Sequence, residues 1–174
     1  MTTGRENSGA LSAGICEFPT LTSAAFDWLA RAQAEPRQAH QEWEQGGAAL
    51  LPLGSRFNAV RLSAPLVHAS IGSTDLDTVT TALAELLDGP VIHNGPQRTY
   101  HALVEPYPPA KWGYAGFAPM LGIGQFLSVP AADRTDPTGL HWAVQPHTVG
   151  GLCAVPAVAV LVDLGRQRLM GTLR

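Results

Sequence analysis

Strand-like runs in this chain come in pairs, with helical runs set between the pairs. The order read along the sequence is helix, helix, strand pair, helix, strand pairs, helix. A strict alternation of strand and helix would indicate a doubly wound parallel sheet. Clustered strands with interposed helices indicate instead an α+β fold, with a mixed or antiparallel sheet and flanking helices. With 174 residues, 45% of them hydrophobic, the chain suffices for a single domain with a proper core. Residues 1–20 are rich in Thr, Ser and Gly and read as a flexible tail, which leaves residues 21–174 as the domain.

The elements follow from local pattern. Thr22 or Ser23 caps the helical run AAFDWLARAQAE, which places Phe26, Leu29 and Ala30 on one face and ends before Pro36. RQAHQEWEQ gives a second short helix that stops at Gly46-Gly47. AALLPLG reads as a buried strand and NAVRLS as its hairpin partner across GSRF. The strongest helix is LDTVTTALAELLDG, with Leu76, Val79, Leu83, Leu86 and Leu87 as its apolar stripe. PVIHN and TYHALVEP form a hairpin about the turn NGPQR. Residues 106–119 are a proline-rich loop. The segment GIGQFLSVPAADRTDPTGLHWAVQP then reads as a second hairpin, with a long polar turn between aromatic arms. PAVAVLVDLG, with Pro156 in its first turn, is a terminal helix ending at Gly165.

Charge and motif content narrow the chemistry. Net charge is −3 and only 14% of residues are charged, which excludes a generally basic surface laid along nucleic acid. No apolar run is long enough to span a membrane and no leader-like block opens the chain, so the expectation is a cytoplasmic protein without a membrane partner. Cys16 and Cys153 have no CxxC neighbour and read as free thiols in a reducing compartment. GxSxG, GxGxxG and GxxxxGK[ST] are all missing, which removes the common nucleophile elbow and the common glycine-loop nucleotide sites.

The six histidines lack zinc-motif spacing, although His93 and His101 lie on the two arms of one hairpin. The sequence therefore assigns no metal and no cofactor. Asp75-Leu76-Asp77 has the spacing of a strand metal site, but its place ahead of an amphipathic helix makes it a helix cap. Asp163 lies on the polar face of the last helix. Arg56 and Arg61, flanking the first hairpin turn, are candidate phosphate ligands. Tyr107, Trp112, Tyr114 and Phe117, set among prolines and glycines, are a candidate surface for another protein.

Three segments together resemble the N-terminal domain of bifunctional DNA primase–polymerases, the prim-pol branch of the archaeo-eukaryotic primase group. GGAALLPLGSRF resembles that family's opening strand and turn, with Arg56 near its basic position. RTYHALVEP resembles the strand that carries the family histidine, here His101. GIGQFLSVPAADRTDPTGLHW resembles the segment in which a glycine-led strand reaches a proline and a polar turn, and the next strand carries an aromatic. The resemblance implies a primase–polymerase-like scaffold and a cleft that handles nucleotide or nucleic acid, with Arg56, Arg61, His101 and His141 as its ligand-binding residues. The family's acidic pair, which holds catalytic metal ions, has no counterpart between the opening strand and His101. The chain is thus similar to small stand-alone actinobacterial proteins, with a reduced and catalytically inactive form of the domain. The alternative is a regulatory or interaction protein that works through the loop 106–119.

Overall fold

A computed structural model describes residues 21–108 and 111–172; the tail expected over residues 1–20, with Cys16, lies outside the described residues. The fold is α+β, and the described residues form five helices and two antiparallel sheets. In chain order the elements are α1 (Leu21–Ala30), α2 (Pro36–Gly46), β1 (Ala48–Pro52), β2 (Asn58–Ser63), α3 (Ala64–Ile71), α4 (Leu76–Leu87), β3 (Val91–Asn94), β4 (Thr99–Val104), β5 (Met120–Leu121), β6 (Phe126–Pro130), β7 (Leu140–Val144) and α5 (Val155–Thr172).

The main sheet has the order β5-β2-β4-β3-β7, and β1 and β6 form a separate two-stranded sheet. Strand alternation divides the side chains between two cores. On one face Val60, Leu62, Tyr100, Ala102 and Val104 pack against apolar residues of α3, α4 and α5. On the other, Ala59, Ile92, Leu103 and Trp142 meet α1, α2 and the inward residues of the small sheet, Ala49, Leu51, Leu127 and Val129. The main sheet is therefore the middle layer.

Two expected hairpins do not form. β2 does not pair with β1; it lies between β4 and β5, while β1 pairs with β6. The arms of residues 122–146 also part company, with β6 going to β1 and β7 to β3. Local alternation identifies such strands but carries no information about a partner far along the chain. The segment between β6 and β7 is held by Trp142, whose backbone N–H donates to the Arg134 carbonyl and whose indole donates to the Pro130 and Ala131 carbonyls. By contrast, the β3–β4 hairpin forms as expected, with Ile92 opposite His101 and His93 opposite Tyr100.

Helix boundaries follow their caps. Pro36 opens α2 rather than merely ending α1, because proline's fixed φ suits the first helical turn. Gly47, at φ 76, closes α2 with its N–H on the Trp43 carbonyl. α3 was not expected, yet its signals stand in the sequence: the Ser63 hydroxyl accepts from Leu66 N–H, and Pro65 lies in the first turn. In α4 the Asp75 carboxylate accepts from Thr78 N–H, so the D-x-D is the cap that its position suggested. Val79, Leu83 and Leu87 are buried, whereas Leu76 and Leu86 of the expected stripe face outward.

α5 runs on to Thr172 instead of stopping at Gly165. Gly165 is there for close packing: a Cβ on it would sit 2.5 Å from the Leu66 carbonyl oxygen and 2.9 Å from Leu66 Cδ1. Gly165→Ala should therefore destabilise the fold by about 1–3 kcal/mol through overpacking, against the ~1 kcal/mol that alanine normally adds inside a helix. Urea titration followed by circular dichroism measures the sign; a stabilised variant would show that α3 and α5 separate freely.

Candidate functional site

Arg61 and His101 are direct cross-strand partners on β2 and β4 and share the sheet face that looks toward the small sheet. Between them and that small sheet lies a cleft of about 240 Å³. One wall carries Arg61 and His101, with Asn94 and Gln97 at the β3–β4 turn. The other carries Leu50, Phe126 and Ser128 from β1 and β6. Leu50 and Phe126 are more than half exposed, so this wall is open and apolar. Among the described residues, no Asp or Glu lines the cleft.

His101 is only 7% exposed, and its Nδ1 is buried without a hydrogen-bond partner. Burial, reinforced by the neighbouring Arg61 guanidinium, pushes its pKa down to about 4, so the ring is neutral at physiological pH. A neutral imidazole with an unsatisfied nitrogen beside an exposed guanidinium is a polar wall short of one acceptor or donor.

The other expected ligand residues are elsewhere. Arg56 sits, half-buried, in the segment between β1 and β2 and does not line the cleft. His141 lies on the opposite face of the sheet, paired in register with His93. His141 Nε2 is 3.2 Å from His93 Nδ1, and His141 Nδ1 is 3.2 Å from the Gly139 carbonyl. With Nδ1–H donated to Gly139, His141 Nε2 is the acceptor and His93 Nδ1 the donor. His93 stacks on Tyr100 at 4.2 Å between ring centroids and 8° between planes. Burial, then His141 and His68, push the His93 pKa down to about 4.

The hairpin therefore separates His93 from His101, and the contact that forms, His93 with His141, joins strands that are remote in sequence. A hollow of about 270 Å³ adjoins this pair, with Asp77 and Thr80 of α4 on its rim. Among the described residues no three His, Cys, Asp or Glu side chains are grouped to hold a metal ion. Cys153 is buried, with its thiol pushed up to about 12, chiefly by burial.

The aromatic loop divides into two halves. Trp112 and Tyr114 pack against the core, and the Trp112 indole donates to the Ala118 carbonyl at 2.6 Å. Tyr107 is 70% exposed and Phe117 52%, with the Arg166 guanidinium 5.0 Å from the Phe117 ring centre. Trp112 and Tyr114 are thus half-buried anchors, and Tyr107 and Phe117 are the exposed members of the set. Among the described residues no helix is long and apolar enough to cross a membrane.

No family model, no curated protein and no solved structure matches the chain. The cleft's own chemistry therefore carries the functional argument.

Proposed function

We propose that the chain is a non-catalytic, primase–polymerase-like domain, acting in the cytoplasm, whose cleft between the two sheets binds the phosphate and base of a nucleotide or of single-stranded nucleic acid. The observation that carries this reading is the cross-strand pairing of exposed Arg61 with His101 on one wall of the cleft. Arg61 supplies a permanent positive charge with forked donors suited to a phosphate. Phe126 on the facing wall offers an aromatic surface on which a base can stack. Among the described residues, the lining offers no carboxylate to anchor divalent ions at a triphosphate, which favours binding over phosphoryl transfer.

NMR titration of the His101 ring with inorganic phosphate, a nucleoside triphosphate and a short oligonucleotide tests the reading. A bound anion beside the ring raises its pKa from about 4, because negative charge favours the imidazolium. Arg61→Ala should weaken binding by about ten- to a hundredfold, the loss of one charge-assisted contact. A ring that ignores all three ligands would remove the cleft as the site. Template-dependent extension that His101→Ala abolishes would overturn the non-catalytic assignment.

A second reading rests on Tyr107 and Phe117, the two loop aromatics that remain exposed. On this reading they contact a protein partner, while Trp112 and Tyr114 serve to hold the loop in place.

A further inference from the structure

Among the described residues, the outer edge of β1 is closed by side chains rather than by another strand. Leu50 directs its backbone N–H and C=O away from β6. The N–H donates to Glu42 Oε1 at 2.9 Å, and the C=O accepts from Gln33 Nε2 at 3.0 Å. The same Gln33 amide donates to Glu42 Oε2 at 3.1 Å, which ties the two side chains into one unit. A carboxylate and an amide thus offer Leu50 the acceptor and donor that a neighbouring strand would offer. The Leu50 N–H, with help from Gln33 and Gln38, holds the Glu42 carboxyl below its usual range, so the clamp is charged and closed at neutral pH.

We propose that Glu42 and Gln33 guard a strand-pairing edge whose occupant, when the guard is removed, is β1 of a second copy of this chain. The edge is self-complementary. An antiparallel pair centred on Leu50 lets each Leu50 donate its N–H to the other's C=O, and each Ala48 N–H reach the other's Pro52 carbonyl. Pro52 has no N–H and limits the pairing to this short stretch, as proline does on edge strands. The resulting sheet, β6-β1-β1-β6, would set the exposed Leu50 side chains beside each other at its centre. With the guard in place, the outward groups of Leu50 are already satisfied, and the Glu42 carboxylates of two copies would approach with like charge. The edge is thereby kept from self-association.

Glu42→Ala combined with Gln33→Ala, examined by light scattering after gel filtration over a range of concentrations at neutral pH, tests the proposal. The expected result is a shift from the parent's mass to twice that mass as concentration rises, with each single variant intermediate. Adding Leu50→Lys places like charges at the two-fold axis and should restore the parent's mass; Leu50 is 52% exposed, so the substitution leaves the core alone. A double variant that keeps the parent's mass at all concentrations overturns the proposal. So does a dimer that survives Leu50→Lys. If the double variant loses its circular-dichroism signal, Glu42→Ala alone carries the same comparison, because it frees the Leu50 N–H, removes the like charge and unties Gln33 from Glu42.

Discussion

Trp142→Ala is expected to lower the unfolding free energy by about 3–5 kcal/mol, the range for deleting a large buried aromatic. Trp142 is 3% exposed and lies on the face of β7 that meets α1 and the small sheet. Its ring stands edge-on to Phe26, with centroids 5.6 Å apart and planes at 89°. Its indole N–H is shared by the carbonyls of Pro130 at 3.0 Å and Ala131 at 3.2 Å, where β6 ends. One side chain therefore joins the main sheet to the small one through packing and hydrogen bonding together. Trp142→Phe separates the two contributions. It keeps most of the aromatic volume and leaves the carbonyls without the indole donor, for an expected cost of about 1–3 kcal/mol. Urea unfolding followed by circular dichroism gives both numbers. A Trp142→Ala variant within 1 kcal/mol or so of the parent would show that the two sheets are held by other contacts.

Acid should destabilise the protein well above the usual carboxylate range. His93 and His101 both have folded pKa values lowered to about 4, against about 6.5 in an unfolded chain. A lowered histidine pKa means that the unfolded state binds the proton more readily. The stabilisation is complete above pH 6.5 or so and is lost as pH falls toward 4. Each ring then contributes about 2 kcal/mol of lost stability at pH 5 and about 3 kcal/mol at pH 4. His68 shifts in the same direction, through burial and then Arg98, and steepens the fall. Denaturant midpoints measured from pH 8 to pH 5 should decline throughout, and His93→Phe should remove close to half of the decline attributed to the two rings. A flat profile over that range would mean that these imidazoles reach solvent in the folded state.

The parts of the fold legible in the sequence are those whose cause is local. α4 announces itself through the Asp75 cap and the spacing of Val79, Leu83 and Leu87. The β3–β4 hairpin follows from two short runs about Asn94-Gly95-Pro96, and its alternation correctly sorts Tyr100, Ala102 and Val104 from Leu103. Local pattern fails where a strand's partner is distant. Nothing in AALLP specifies FLSVP as its neighbour, and nothing in VIHN specifies LHWAV. Both walls of the cleft depend on such pairings. Arg61 and His101 could be singled out as residues, but their facing wall of Leu50, Phe126 and Ser128 could not. The resemblance places His141 with His101 in one cleft; the register that sends them to opposite faces exists only in the assembled sheet. Gly165 reads as a helix end in the sequence, but in the structure it lets α5 pass close to Leu66 of α3.

The β1–β6 pairing also orders events in time. Leu50 meets Ser128 only after the segment that builds β2, α3, α4, β3, β4 and β5 lies between them, so closing this pair carries a large loop entropy. The β3–β4 hairpin and the helices against it can form from near neighbours, and the small sheet has to be added to a body already in place. Partial opening of the native protein should begin by lifting β1 and β6 away from Arg61 and His101, which dissolves the cleft while leaving the helical face of the main sheet intact. Any molecule held in that cleft draws on the attachment of the small sheet for its affinity and returns the same free energy as protection of that attachment. Slowed amide exchange at Leu51 and Leu127 would then be the earliest sign of an occupied cleft.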